Sequence, residues 1–246
     1  MNLSIDLGNT YAKTGLFSEG KLVEANWNLT YQELVDYVQS IHPQYIMTSS
    51  VSYSEEQLMD EFSKITPDIY LLKSTTPVPI SKLYYTPETL GADRVAAAIG
   101  AKVLYPQNNC LVIDMGTCIT YDLVDENNNF QGGIISPGVR MRFKAMNTFT
   151  KRLPLLEPEE IPSLIGKNTK HAMQSGVMNG LLAEINGLIE EYGKVLTNIN
   201  VILCGGDATY FANRIKYPNF VVPELVLIGL NRILEYNVEH KKNNRF

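Results

Sequence analysis

Two stretches of the sequence place an acid at the end of an apolar segment, with a glycine two residues behind it. The first contains Asp6 and Gly8, and the second contains Asp114 and Gly116, 108 positions later. The aligned stretches read LSIDLGNTYAKTGLFSEG from residue 3 and LVIDMGTCITYDLVDENN from residue 111. This period is too long for a solenoid. The repeat therefore predicts two half-molecules of similar topology, each offering an acid–glycine turn to one cleft.

The residues of these turns suit a ligand that carries phosphate. Glycine lets backbone N–H groups approach a phosphate closely, and small polar side chains such as Asn9 and Thr10 add donors. An acid repels phosphate, so Asp6 would hold a cation that bridges to phosphate oxygens, while Lys13 would supply further positive charge. The two turns predict a split nucleotide clamp. The alternative is two ordinary hairpins with Asp-x-Gly turns, in which Lys13 is a surface lysine.

Composition limits the classes of function. The 246 residues are 45% hydrophobic, enough for the core of one large domain or two small ones. A formal net charge of −5 and scattered bases predict no nucleic-acid partner. Without a signal peptide or a long apolar run, we expect a cytoplasmic protein with no membrane span. Cys110, Cys118 and Cys204 are expected to be buried, reduced thiols.

Apolar and amphipathic segments alternate along the chain, which predicts an α/β fold. Strands are predicted at Leu3–Ile5, Thr14–Phe17, Leu22–Asn26, Tyr45–Ser49, Ile69–Leu72, Leu111–Ile113, Tyr121–Val124 and Val201–Leu203. Helices are predicted at Tyr31–Ser40, after an N-cap at Ser54, from Gly91 onward, at Arg140–Asn147, at Lys170–Tyr192 and at Pro223–Tyr236. An irregular glycine and proline stretch is expected after Ile134, and a tight hairpin turn at residues 18–21.

Several segments resemble the motifs of a known family. The two acid–glycine turns resemble the phosphate motifs of the actin-like ATPase superfamily, and VILCGGDA at residues 201–208 resembles its adenosine motif. More specifically, the chain resembles type III pantothenate kinases. The segments that carry this resemblance are YYTPETLGADR from residue 84, GGIISPG from residue 132, IGKNTKHAMQSG from residue 165 and PELVLIGLNRIL from residue 223. The matches cover nearly the whole chain. Cys118 and Lys151 depart from the family pattern, which has alanine at the first position and often at the second.

The resemblance implies a fold, an activity and its cofactors. The fold would be two ribonuclease H-like, actin-like subdomains, residues 1–107 and 108–246, that face a central nucleotide cleft. The activity would be ATP-dependent phosphorylation of pantothenate, the first step of coenzyme A biosynthesis, with Mg²⁺ and a monovalent cation, K⁺ or NH₄⁺. The protein would be a homodimer. Two alternatives stay open: a non-catalytic nucleotide-binding regulator of the same fold, and a kinase of another small alcohol.

The resemblance also implies roles for individual residues. Asp93 would be the general base, although an acid in the first turn of a helix also complements the macrodipole. Asp114 would bind the monovalent cation, and Asp6 would face Mg²⁺. The residues expected to contact ATP are Asp6, Leu7, Gly8, Asn9, Thr10, Tyr11, Ala12, Lys13, Thr117, Gly205 and Gly206. Those expected to contact pantothenate are Tyr84, Gly91, Ala92, Asp93, Arg94 and Thr169. Packing is the alternative role for Tyr84, and helix capping is the alternative for Thr169.

Overall fold

The computed structural model describes residues 1–8, 11–50, 53–160 and 163–243. The chain forms two compact units. The first unit contains Met1–Gln107, Asp125–Gln131 and Glu224–Phe246, and the second contains Asn108–Val124 and Gly132–Pro223. The first segment of the first unit ends at Gln107, and the second unit begins at Asn108, which is the boundary placed by the sequence. They differ from the predicted contiguous halves because residues 125–131 and the closing segment belong to the first unit.

The elements before residue 108 belong to the first unit. Its strands are β1 (Asn2–Leu7), β2 (Ala12–Ser18), β3 (Lys21–Leu29), β4 (Tyr45–Ser50), β5 (Ile69–Leu71) and β6 (Ser81–Lys82). Its helices are α1 (Tyr31–Ile41), α2 (Glu55–Phe62) and α3 (Ala92–Leu104). The predicted N-cap at Ser54 is confirmed, because the Ser54 hydroxyl accepts a hydrogen bond from the backbone N–H of Gln57. The predicted hairpin turn is also confirmed: Glu19 and Gly20 both have positive φ, which matches the twist of the strands they join.

The remaining elements begin with the strand that leads into the second acid–glycine turn. The strands are β7 (Asn109–Met115), β8 (Cys118–Val124), β9 (Asn129–Pro137), β10 (Ile199–Cys204) and β11 (Asn219–Val221). The helices are α4 (Val139–Phe149), α5 (Thr169–Val195), α6 (Ala208–Phe211) and α7 (Leu225–Asn243). No helix among the described residues is both long enough and apolar enough to cross a bilayer.

The two sheets repeat one strand order. The first sheet runs β3-β2-β1-β4-β5, and the second runs β9-β8-β7-β10-β11, with β6 beyond β9. In each sheet the first two strands of the repeat are antiparallel, and the central strand pairs in parallel with the next strand of the order. The duplication predicted from two short stretches therefore extends to whole sheets, and both acids lie near the end of the central strand of their sheet.

The stretch after Ile134 was predicted to be irregular, but it continues a glycine-rich strand, β9, as far as Pro137. Gly133 lies in β9, where an added Cβ would lie 2.5 Å from Asp122 Oδ1 on the neighbouring strand β8 and would overlap the Tyr121 carbonyl oxygen. Glycine is required here because two strands approach closely. The sequence pattern resembled a loop because close backbone approach and turn formation both select glycine.

The cysteines differ from one another in exposure. All three are free, and Cys110 and Cys204 are buried as predicted. Cys118 is exposed, so the prediction of burial is wrong for this residue. The reason is its position as the first residue of β8, directly after the acid–glycine turn.

Helices α3 and α7 pack closely within the first unit at two glycines. A Cβ on Gly229 would overlap the carbonyl oxygen of Ala96 and lie 2.9 Å from the backbone nitrogen of Gly100. A Cβ on Gly100 would in turn overlap the carbonyl oxygen of Leu225. Helix propensity favours alanine over glycine, so glycine at these positions is explained by backbone contact.

We expect Gly229→Ala to destabilise the protein by about 1–3 kcal/mol, because the extra methyl group forces the two helices apart. Gly193→Ala is the matched control, since it also lies in a helix but an added Cβ there meets no neighbouring atom. The control should stabilise the protein by about 0.5–1 kcal/mol. Urea unfolding of both variants measures the difference. Equal effects of the two substitutions would contradict the close helix packing.

Candidate functional site

Asp6 is a partly buried carboxylate near the end of β1. Lys13 lies across from it on β2, and Ser49 lies beside it on the parallel strand β4. The Ser49 hydroxyl donates to Oδ1 over 3.0 Å, and Lys13 Nζ lies 3.9 Å from Oδ2. Only 16% of the Asp6 side chain is exposed. The two carboxylate oxygens therefore have different partners, which fixes the orientation of the group.

Burial is the main reason that the pKa of Asp6 lies above its ordinary value. The positive charge of Lys13 and the Ser49 hydrogen bond oppose this shift, while the negative charge of Asp93 adds to it. Asp6 and Asp93 are therefore close enough to interact electrostatically within the first unit. A carboxylate that is destabilised in this way is suited to binding a cation.

The first acid–glycine turn closes between β1 and β2. The Gly8 N–H donates to the Tyr11 carbonyl oxygen over 3.2 Å, and Leu7 pairs with Ala12 across the turn. Tyr11 has 51% of its surface exposed. The predicted contacts of Asn9 and Thr10 lie outside the described residues.

The GADR segment begins α3. Gly91 is the N-cap residue, and Asp93 is the second residue of the helix. Asp93 Oδ1 accepts from the backbone N–H of Arg94 over 2.8 Å, which turns the carboxylate back over the helix start. A Cβ on Gly91 would lie 2.5 Å from the same oxygen. Glycine at this position therefore makes room for the Asp93 carboxylate.

Arg94 is held against two aromatic rings. Its guanidinium carbon lies 5.8 Å from the ring centroids of both Tyr84 and Phe130, within the range of cation–π attraction. The rings meet edge to face, with 6.3 Å between their centroids. Tyr84 therefore packs beside the GADR segment and helps to order Arg94, a residue that is only 7% exposed.

The second acid–glycine turn is one residue shorter than the first. Met115 pairs with Ile119, whereas the equivalent Leu7 pairs with Ala12. Gly116 N–H donates to the Cys118 carbonyl oxygen over 3.0 Å to close this turn. Because of the shorter turn, the residue across from Asp114 is Thr120. The second acid therefore has no lysine in the position that Lys13 occupies opposite Asp6.

The end of β10 lies against this turn. Gly205 has a φ of +86°, and a Cβ there would lie 2.5 Å from Asp114 Oδ1 and 2.6 Å from the Met115 backbone. The Asp207 N–H donates to the Met115 carbonyl oxygen over 3.0 Å. Glycine is therefore required at position 205 by both its backbone angle and the proximity of the acid. These contacts bring the predicted phosphate and adenosine motifs of the second unit together.

A cavity of about 470 Å³ opens between these motifs and α4. It is lined by Met115, Gly116, Thr117, Arg140, Met141, Lys144, Gly206 and Asp207. Thr117 and Gly206 were predicted to share a ligand, and they line the same cavity. The α4 residues were not predicted, because no short motif marks them. Their one sequence signal is that α4 carries three basic residues and no acid.

Arg140 links the cavity wall to two acids. Its Nη1 donates to Asp207 Oδ1 over 2.9 Å, and its Nε lies 3.3 Å from Glu157 Oε2. The hydrogen bond to Asp207 is the main reason that the pKa of Arg140 is raised. The pair matters most for Asp207, whose side chain is only 9% exposed and needs a compensating charge.

Thr169 is the first residue of α5 and is exposed. The residue that caps the helix is Asn168, whose side-chain oxygen accepts from the His171 N–H over 2.8 Å. Capping therefore does not account for a threonine at position 169.

The donor set suits a magnesium ion that arrives with phosphate. Among the residues that the structure describes, no group of three or more His, Cys, Asp or Glu side chains could hold a metal by itself. Mg²⁺ is commonly bound by one or two carboxylates together with substrate phosphates. The partly buried carboxylate of Asp6, beside a glycine turn, fits that mode of binding.

Comparison with known proteins places these features in a family. The family model for type III pantothenate kinase matches residues 2–191. A type III pantothenate kinase from Cytophaga hutchinsonii is 47% identical and covers 97% of this chain and 100% of its own. One from Phocaeicola vulgatus is 40% identical and covers 96% and 99%.

A solved structure extends the comparison to the fold alone. The activator of the 2-hydroxyisocaproyl-CoA dehydratase from Clostridium difficile, with bound ADPNP, is 12% identical to this chain and has a TM-score of 0.57. The likeness covers 98% of this chain and 97% of that one. Together with the repeated strand order, it confirms the predicted actin-like α/β architecture.

We expect Asp6→Asn to raise the thermal stability of the ligand-free protein at pH 7. Because the folded-state pKa of Asp6 is raised, the ionised form costs stability, and this cost appears as pH rises through that pKa. The gain from Asn should therefore vanish below the unfolded-state pKa, where the carboxyl group is neutral in both states.

Melting temperatures of the parent and the variant, measured between pH 3 and pH 7, test this expectation. This range begins below the unfolded-state pKa of aspartate, which is about 3.9. Asp60→Asn, at an exposed position of α2, is the control and should give no gain that grows with pH. A variant that is less stable than the parent at pH 7 would overturn the assignment of Asp6 as a destabilised carboxylate.

Proposed function

Because the chain belongs to the type III pantothenate kinase family, we propose which of its residues carry out the ATP-dependent phosphorylation of pantothenate that begins coenzyme A biosynthesis. The observation that carries the proposal is the partly buried carboxylate of Asp6, which Ser49 and Lys13 hold beside the first glycine turn, where it suits a metal ion bound to phosphate. Phosphoryl transfer depends on positioning and charge neutralisation more than on covalent chemistry by the protein.

Asp6 and the two glycine turns would bind the nucleotide. Asp6 would hold Mg²⁺, and Lys13 beside it would pair with the terminal phosphates. When bound, Mg²⁺ neutralises charge on the phosphates. Residues 7–12, which form the first glycine turn and its two ends, would contact the phosphate groups. In the second unit Thr117, Gly205 and Gly206 would bind the nucleotide, which is supported by the cavity that Thr117 and Gly206 line together.

Asp93 would accept the proton of the substrate hydroxyl. As the hydroxyl oxygen bonds to the γ-phosphorus of ATP and the bond to the β-bridging oxygen breaks, that proton passes to the Asp93 carboxylate and ADP leaves. The position of Asp93 supports this role, because the Arg94 N–H holds Oδ1 and Gly91 leaves space around it. Its other oxygen, Oδ2, is then the candidate acceptor.

Pantothenate also carries a carboxylate, for which Arg94 is the candidate partner. Two aromatic rings restrict the guanidinium, so less conformational freedom is lost when it binds an anion. In this proposal Gly91 and Ala92 line the substrate, and Tyr84 contacts it as well as packing on Arg94. Thr169 would contribute its exposed hydroxyl from the start of α5.

Asp114 would bind the monovalent cation, K⁺ or NH₄⁺. It has Thr120 rather than a lysine across from it, so a bound cation meets no fixed ammonium group there. Gly205 supports the proposal because it keeps the space beside Asp114 Oδ1 clear of a side chain.

We also propose a cytoplasmic homodimer. Three glycines on α5, at positions 176, 180 and 187, would meet no neighbouring atom if a Cβ were added. This small-residue face is therefore available for a second copy of the chain.

A non-catalytic regulator of the same fold is disfavoured, because this chain retains an acid suited to be the base at position 93. The GADR and IGKNT motifs disfavour a kinase of another alcohol.

We expect Asp93→Asn to lower kcat by about 10²–10⁴-fold, because the hydroxyl proton loses its acceptor. ATP affinity should stay near that of the parent, since Asp93 is assigned to the other substrate. A coupled assay for ADP release with pantothenate measures the rate, and calorimetry measures ATP binding. Glu88→Gln, at an exposed acid just before the GADR segment, is the matched control and should keep the parent rate. A near-normal rate for Asp93→Asn would refute the assignment of the base.

We expect Asp114→Ala to remove the stimulation by K⁺ that the parent should show over Na⁺ in the same assay. The variant loses the carboxylate that would hold the cation, so its rates in the two salts should be equal. Glu190→Ala, at an exposed acid of α5 in the same unit, should keep the parent's response. An unchanged K⁺ dependence in Asp114→Ala would exclude this residue as the ligand.

A further inference from the structure

The two units differ in where they carry positive charge near the acid–glycine turn. In the first unit Lys13 lies on β2, across from Asp6. In the second unit Thr120 occupies the matching place on β8, across from Asp114. If the turn of the second unit binds phosphate, its positive charge must therefore come from another element.

Helix α4 is that element. It contains Arg140, Arg142 and Lys144 but no acid. Arg140 lies in its first turn, where the helix dipole disfavours a cation. Arg140 and Lys144 are four residues apart and therefore share one face, where like charges repel each other. The sequence of α4 is unfavourable for the helix alone, so these charges require a reason outside it.

The three cations have different partners. Arg142 does not line the cavity. Its Nη2 lies 2.7 Å from Glu184 Oε2, and its Nε donates to the Pro137 carbonyl oxygen over 2.8 Å. Arg140 forms ion pairs with Asp207 through Nη1 and with Glu157 through Nε. Lys144 has no acidic partner in the part of the chain that the structure describes. No acid among the described residues therefore compensates the positive charge of Lys144.

Both Arg140 and Lys144 line the cavity that contains Gly116, Thr117 and Gly206. Its other side chains are two methionines, a threonine and Asp207, and Asp207 is already paired with Arg140. Lys144 is thus the lining cation without a protein counter-charge among the described residues. A phosphate group beside the Gly116–Thr117 turn would provide that counter-charge.

We propose that Lys144, with Arg140 beside it, binds the phosphate groups of the nucleotide in the second unit, replacing the lysine that is absent opposite Asp114. This assignment rests on the proposed function of the cavity as the nucleotide site. Lys144 contacts the anion directly, because no described acid neutralises its charge. Arg140 keeps Asp207 neutralised, so the buried acid does not repel the same anion.

The test replaces Lys144 with methionine, which keeps the length and apolar stem of the side chain but removes its charge. Lys144→Met should weaken ATP binding and raise KM for ATP by roughly 10-fold, the loss of one charge-assisted hydrogen bond. KM for pantothenate should not change. The affinity of the variant for ATP should fall less steeply with salt than that of the parent. Lys144→Arg should restore most of the affinity.

Controls separate this role from a structural one. Lys216→Met removes an exposed lysine of the same unit that does not line the cavity, and it should leave ATP binding unchanged. The melting temperature of Lys144→Met without nucleotide should equal or exceed that of the parent, because a like-charge repulsion is removed. A lower melting temperature, or equal ATP affinity in Lys144→Met and the parent, would overturn the proposal.

Gly206→Val separates failure of this inference from failure of the cavity assignment. A Cβ at position 206 meets no protein atom within 4 Å, so the added bulk enters the cavity with little cost to the fold. If this variant loses ATP affinity and Lys144→Met does not, the cavity is the nucleotide site and the role of Lys144 is wrong. If neither variant loses affinity, the cavity assignment itself fails.

Discussion

The structure depends on placing a carboxylate near the end of a central β-strand in each unit. Such a group loses much of its hydration, and for Asp6 the cost is visible as a raised pKa. Strands on both sides are needed to hold it: β2 presents Lys13, and β4 presents Ser49. The rest of the first unit keeps these three strands in register, through the helices that cover the sheet and the close packing of α3 with α7.

The same arrangement is used twice with different chemistry, because a different residue lies across from each acid. In the first unit the turn places a lysine across from the acid; in the second, one residue fewer places Thr120 there. The strand next to the acid changes as well, because Ser49 pairs in register with Asp6 whereas Cys204 pairs with Asp114. A serine hydroxyl is a better hydrogen-bond donor than a thiol. The duplicated fold therefore gives its two acids unequal surroundings, in keeping with the different cations proposed for them.

The sequence predicted the parts of the molecule that local patterns encode. Alternating apolar segments predicted most strands and helices, and the repeated Asp-x-Gly predicted the duplicated architecture. Long-range contacts were not predictable: Gly133 is a glycine because of β8, and Gly205 because of Asp114. The α4 contribution to the cavity was missed for the same reason, since Lys144 reaches the Gly116 turn only through the fold. The sequence also did not predict that the second turn is one residue shorter, because an ungapped alignment of the two stretches hides the difference.

The membership of α7 in the first unit has a consequence for biosynthesis. Residues 1–107 leave the ribosome early, but the helix that packs on α3 follows all residues of the second unit in chain order. The second unit can therefore complete its core while the first still exposes the close-packed face of α3, including Gly100. Folding of residues 1–107 is then completed by α7, which is translated after the second unit. A nascent chain stalled before residue 224 would present that uncovered face to chaperones, although its sheet of β1 to β5 is already synthesised.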